Sequence, residues 1–109
     1  MKDDRLYLSH IVEAIDRILD YASTGEANFR EDLKTQDAII RNLQVVGEAV
    51  KNVSTETRVT HPEVPWRDIA GMRDRVVHDY FGVSLEIVWD VVANHLPPLR
   101  DSVRKLLAG

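Results

Sequence analysis

The chain has 109 residues, of which 44% are hydrophobic and 29% charged, no cysteine, and a formal net charge of −4. That length suits one domain with one core, and the balance of apolar and charged residues supports folding and excludes a disordered chain. The missing cysteines exclude a disulfide framework and a thiolate metal site, and the acidic balance excludes a general nucleic-acid coat built on many Lys and Arg.

Residues 1–109 are therefore expected to form a single domain. The start Met1-Lys-Asp-Asp-Arg5 lacks the basic-then-apolar order of a signal peptide. No apolar run approaches the roughly 20 residues that span a bilayer. A cytoplasmic protein without a membrane segment is expected.

Helical periodicity runs through almost the whole chain, and no alternation is long enough to build a sheet. The first helix is predicted from about Asp4 to Thr24, with Leu8, Ile11, Val12, Ile15, Ile18, Leu19 and Ala22 in one stripe and Gly25 ending it. Asp3, Asp4, Glu13, Asp16 and Asp20 are expected on its solvated face. Gly25 to Lys34 is short and polar, with room for one turn around Phe29 and Leu33. Thr35 is then the expected N-cap of a second long helix reaching about Val53. Its stripe is Ala38, Ile39, Leu43, Val46, Ala49, Val50 and Val53. Gly47 interrupts it at about 1 kcal/mol relative to Ala, which often marks close approach of another backbone.

Ser54 to Pro65 reads as the most loop-like segment, with a short helical turn possible around Glu56. Pro65 suits the first position of a third helix that turns Ile69, Met72, Val76 and Val77 inward and ends before Gly82. Ser84 is the expected N-cap of a fourth helix bearing Leu85, Val88, Trp89, Val92 and Ala93, with Glu86 in its first turn. Pro97-Pro98 is expected to break or kink that helix before Leu99, Val103, Leu106 and Leu107 continue a last amphipathic piece. The fold class this predicts is all-α, an up-and-down bundle of four main helices plus short helical pieces.

Chemistry concentrates in Arg73-Asp-Arg-Val-Val-His78-Asp-Tyr80, where a cation, an imidazole and a phenol occur within eight residues. At about 100° per residue, Arg75 is the same-face neighbour of His78, whereas Arg73 is about 140° away. A site using both Arg73 and His78 thus needs a helix distortion, a long Arg reach or a second copy of the chain. Tyr80 projects differently again if the helix is ending.

The segment fits the pattern R-x4-H-x-Y, and the chain resembles the HepT toxins of the HEPN superfamily of small helical proteins. Arg41-Asn42-Leu43-Gln-Val-Val-Gly47-Glu48-Ala49, Pro65-Trp66-Arg67-Asp-Ile-Ala-Gly71-Met72 and the later Trp89 carry the resemblance further, in order and at fitting spacing. It covers essentially the whole chain. The resemblance implies a HEPN-like bundle and a metal-independent ribonuclease that works as a homodimer, with no cofactor. It also implies a partner, a small MNT-type nucleotidyltransferase antitoxin that transfers AMP to the motif tyrosine. Carried over by position, Arg73 and His78 are the catalytic pair, Asp74 fills the polar place after the motif Arg, and Tyr80 is the AMP acceptor. Gly47-Glu48 matches a family segment to which no role is assigned.

The residue types suit that chemistry on their own terms. RNA is cleaved when its 2′-hydroxyl attacks the adjacent phosphate, which requires proton transfer and stabilisation of a charged phosphorane. Histidine holds or releases a proton near neutrality, and arginine grips phosphate oxygens with two parallel N–H bonds. His78 is therefore read as general acid/base, Arg73 as the phosphate grip and Arg75 as support. One chain offers one motif histidine, and a dimer supplies the second.

Bland roles compete at each position. An Arg and a His near a helix end commonly serve as surface and capping residues, and Tyr80 beside Phe81 suits a half-buried aromatic with an exposed hydroxyl. His10, His61 and His95 lack the paired spacing of metal ligands, and Trp66 and Trp89 fall in apolar stripes as core or interface residues. Arg30, Lys34, Arg41, Lys51 and Arg67 are candidates for a basic rim around the motif. A noncatalytic subunit that binds a nucleotide or holds substrate for a separate nucleotidyltransferase is the main rival. A DNA-binding regulator is disfavoured by the absence of a basic recognition helix.

Overall fold

The computed structural model describes residues 3–78 and 84–109, and for residues 73–78 it describes the backbone alone. Helix α1 spans Asp4–Tyr21 and buries Leu8, Ile11, Ala14, Ile15 and Ile18, the three- and four-residue spacing that one apolar stripe requires. A 3₁₀ turn, Ala22–Thr24, tightens its end. Gly25 then takes a φ of 98°, a conformation that a side chain would strain, and the helix stops there as expected.

The single turn expected around Phe29 is a six-residue helix, α2, Glu26–Glu31. Phe29 is fully buried, whereas Leu33 is 71% exposed as the first residue of α3, Leu33–Asn52. The N-cap of α3 is Asp32, not Thr35. The backbone bends into the extended region at Asp32, and the Thr35 hydroxyl is committed to the Asp32 carboxylate at 2.6 Å. This hydroxyl bond, opposed by some burial, holds the Asp32 carboxyl below its ordinary range. Gln36 Nε2 reaches back to the carbonyls of Phe29 (2.9 Å) and Arg30 (3.1 Å), satisfying acceptors that the end of α2 leaves open.

Helix α3 is central. It buries Ile39, Leu43, Val46, Gly47 and Val50, and it packs on α1 and on α5, which spans Trp66–His78. Its pairing with α1 is antiparallel: Arg17 Nε donates to Asn42 Oδ1 at 2.9 Å near one end, and Asp4 meets Ser54 at the other. Asn42 is 8% exposed and also donates to the Ala38 carbonyl at 2.9 Å, so its buried amide is occupied on both sides.

Two acidic residues expected to be solvated are structural instead. Asp4 is only 7% exposed. Its carboxylate accepts from Ser54 N (2.8 Å), Ser54 Oγ (2.7 Å) and Thr57 Oγ1. Burial alone raises the pKa of Asp4, but these bonds outweigh it and hold the carboxyl below its ordinary range. Asp16 receives Arg100 at 3.2 Å and Arg104 at 3.5 Å. Both arginines lie on α7, Leu96–Ala108, which also packs on α1. Asp3, Glu13 and Asp20 are exposed as expected.

The segment read as mostly loop holds a helix where a short turn around Glu56 was expected to be possible, α4, Thr55–Thr60. Ser54 caps it, accepting from Thr57 N at 3.1 Å, while its own hydroxyl proton goes to Asp4. Pro65 lies just outside α5 rather than at its first position, and its carbonyl accepts from Ile69 N at 3.1 Å. Trp66 is buried, with Nε1 donating to the His61 carbonyl at 2.9 Å. Ile69 is buried and Met72 half-buried. The inward placement expected of Val76 and Val77 concerns side chains outside the described part, and the break expected at Gly82 lies outside the described residues.

Ser84 caps α6, Leu85–Asp90, as expected, accepting from Ile87 N at 3.3 Å. Trp89 on α6 packs against Phe29, ring centroids 5.4 Å apart. Pro97-Pro98 does not break the chain's helical course. One π-helical turn, Val91–His95, precedes the prolines, and they occupy the first turn of α7, where a missing N–H costs least. The described residues contain helices and turns and no strand.

Candidate active site

Arg73, Asp74, Arg75 and His78 all lie in the last two turns of α5, on backbone that stays α-helical through His78. The register of a regular helix sets Arg73 and His78 about 140° apart around the axis and about 7.5 Å along it, and Arg75 and His78 about 60° and 4.5 Å. The backbone thus keeps the separation that the spacing implies, and no distortion within α5 brings Arg73 and His78 onto one face. Tyr80 lies outside the described residues.

The expected basic rim is not one feature. Arg30 is held by Glu26 at 2.7 Å on the exposed face of α2. Lys34 and Lys51 stand at opposite ends of α3, roughly 25 Å apart along its axis, so they do not serve a single phosphate site. Among the described residues, no group of three or more His, Cys, Asp or Glu side chains converges to hold a metal. No described helix is long and apolar enough to cross a membrane.

Beside the motif segment lies a feature that sequence patterning missed, a cleft of about 520 Å³ between the first half of α5, α6 and the start of α7. Ile69, Met72, Val88, Val91, Leu96 and Leu99 give it an apolar floor. Asp68 stands on its α5 side and His95 on the other. His95 Nε2 faces Asp90 Oδ2 at 3.2 Å, a five-residue spacing that the π-helical turn brings together. Asn94 donates to the other Asp90 oxygen at 2.7 Å. The Asn94 amide bond, opposed by slight burial and helped by His95, lowers the Asp90 pKa. The sequence signal for the cleft is the apolar pair Ile69 and Met72 on α5 with Pro65 just before it, which reads as core.

The all-α scaffold, with R-x4-H in the last turns of a helix packed on the central helix, is consistent with the HEPN class that the sequence resembles. Within that class, the Ribonuclease HepT-like family matches residues 11–106, nearly the whole chain, and the chain belongs to it. A protein of Thermococcus cleftensis named "Probable ribonuclease HepT" is 43% identical over 103 residues, covering 92% of each chain. A "Putative RNase" of Methanocaldococcus jannaschii is 44% identical over 99 residues, 88% of this chain and 80% of its own. Another "Putative RNase", from Caldanaerobacter subterraneus, is 38% identical over 108 residues, 98% of this chain and 96% of its own. No solved structure matches the chain.

Proposed function

We propose that the chain is a single-domain HEPN ribonuclease, the toxin of a toxin–antitoxin pair, acting in the cytoplasm as a homodimer without metal. The observation that carries this reading is the extent of the family match. It runs through residues 11–106 and so includes the whole Arg73–Tyr80 segment. The register of α5 supports the dimer, because Arg73 and His78 of one chain do not share a face, and two motif segments facing each other supply both an acid and a base.

In the step proposed, the 2′-oxygen bonds to phosphorus while one motif histidine takes the hydroxyl proton. The bond from phosphorus to the 5′-oxygen breaks, and that oxygen receives a proton from the second histidine. Arg73 holds the non-bridging oxygens as charge builds on the phosphorane, with Asp74 and Arg75 in support. The products are a 2′,3′-cyclic phosphate and a free 5′-hydroxyl. An MNT-type nucleotidyltransferase silences the site by moving AMP from ATP onto the Tyr80 oxygen, releasing pyrophosphate.

The test is cleavage of RNA by purified protein in EDTA, with sedimentation to give the assembly. Wild type should cut and sediment as a dimer, and Arg73→Ala and His78→Ala should each lose about a hundredfold or more in rate while remaining dimeric. Either variant cutting at the wild-type rate refutes the assignment. Coexpression with the cognate nucleotidyltransferase should add AMP mass to the Tyr80 peptide, and an inactivated protein with unmodified Tyr80 refutes that part.

A further inference from the structure

We propose that the cleft between α5, α6 and α7 is a nucleobase pocket in which Asp68 reads the Watson–Crick edge of guanine. This rests on the ribonuclease reading above and deepens it, because it names the base that flanks the phosphate held at the motif.

Size and shape come first. A volume of about 520 Å³ lies within the roughly 300–1,000 Å³ typical of small-molecule sites, and an apolar floor with a few polar groups at its edges is their usual composition. The floor suits the faces of a flat ring, with Met72, Pro65 and Pro98 as the surfaces it rests on. The polar edges fix the orientation. Asp68 is exposed at the α5 edge and, among the described residues, neither pairs with a cation nor accepts a hydrogen bond. A carboxylate offers two acceptor oxygens and no donor. Guanine presents N1–H and N2–H side by side, a match for both oxygens, whereas uracil and adenine present one such donor on that edge. Across the cleft, the Ser102 hydroxyl on α7 can donate to guanine O6 or N7, and His95, whose Nε2–H is directed at Asp90, borders the same cleft. The Asp90 carboxylate beside His95 restrains its ring.

Charge decides which part of a nucleotide enters. Asp68 and Glu63 at the mouth repel a phosphate, so the base goes in and the phosphate stays outside. Position decides which phosphate. Asp68 and Arg75, the residue read above as support for the Arg73 grip, occupy equivalent places in the register of α5, seven residues and about 10 Å apart along the axis. That span is comparable to the reach from a phosphate across its ribose to the far edge of the base. Single-stranded RNA is read in this way, by unstacked bases recognised on their edges.

The experiment uses the full chain and tetranucleotides with 2′-O-methyl groups on every sugar, which cannot be cleaved, carrying guanosine, inosine or uridine at one position. Inosine lacks only the 2-amino group. Titration calorimetry should give guanosine roughly tenfold tighter binding than inosine. In Asp68→Asn that ratio should fall to within about threefold, and in Val91→Trp, which fills the cleft, the preference should vanish. Equal affinity for all three tetranucleotides in wild type, or an undiminished ratio in Asp68→Asn, overturns the proposal. So does a Val91→Trp protein that keeps the guanosine preference but sediments as a monomer, because the cleft is then a self-association face. Titration with 5′-GMP separates two sources of the same base: binding as tight as the tetranucleotide's, lost in Asp68→Asn, assigns a free nucleotide, and much weaker binding assigns RNA. Because this RNA is uncleavable, guanosine preference without any cleavage of ordinary RNA sinks only the ribonuclease reading, and cleavage without guanosine preference sinks only this one.

Discussion

Replacing Asp4 with alanine should destabilise the protein far more than the loss of an acidic residue from a helix end. The Asp4 carboxylate is buried and joins the start of α1 to the start of α4 by accepting from Ser54 N, Ser54 Oγ and Thr57 Oγ1. A hydrogen bond to a charged acceptor is worth about 1.5–3 kcal/mol, and the part-buried Ser54 N would lose its acceptor. The two hydroxyls can turn to other partners, so the sum is not additive, and a net cost of about 2–4 kcal/mol is expected. For a chain of this size that lowers the melting midpoint by roughly 8–16 °C, read by far-ultraviolet circular dichroism at neutral pH. The folded pKa of Asp4 lies below its ordinary 3.8, so its contribution is present above that value and is lost as the pH falls through the folded one. Wild type should therefore lose stability in acid faster than Asp4→Asn, whose amide does not titrate. An Asp4→Ala protein melting within about 2 °C of wild type would refute the reasoning.

Phe29→Ala removes a fully buried ring stacked on Trp89 and should cost about 3–5 kcal/mol, with a red-shifted tryptophan emission from the loosened Trp89 as the check. Ser84→Ala removes the cap of α6 and should cost about 1 kcal/mol, with faster exchange of the Ile87 amide. Unchanged exchange there would show that the cap is not what holds this turn. Arg100→Ala should cost less than about 1 kcal/mol, because both partners are partly solvated and Arg104 also reaches Asp16. Its effect should shrink in high salt, as urea unfolding at two salt concentrations will show.

The elements that burial dictates were legible in the sequence. Leu8, Ile11, Ile15 and Ile18 repeat at helical spacing because α1 needs one apolar stripe, and Ile39, Leu43, Val46 and Val50 do the same for α3. Ser84 was legible as a cap because a short polar residue there is followed at once by the apolar run of α6. Helix α4 was legible only as a possible turn around Glu56, since Thr-Glu-Thr-Arg-Val-Thr has no stripe and the helix rests on Ser54 and on Asp4, some fifty residues away in the chain. The choice between Thr35 and Asp32 as cap was also hidden, because both residue types cap helices and only the bend after α2 decides. Of the candidate site, Arg73, Arg75 and His78 follow from a local spacing. The cleft has walls drawn from three helices, and no local pattern encodes it.

The π-helical turn ties two features of the chain to one another. Val88, Val92 and Leu96 are all buried at successive spacings of four, which over eight α-helical residues leaves the last about 80° off the line of the first. The wider turn absorbs that offset, and it also opens the backbone where the rings of Pro97 and Pro98 would otherwise meet the carbonyls of Ala93 and Asn94. Deleting one exposed residue such as Asn94 would bring Val88, Val92 and Leu96 to heptad spacing, and the core would accept it. The two prolines would then sit in an ordinary helix interior at about 3 kcal/mol each. Loss of the extra residue is therefore cheap only if the two prolines are replaced with it.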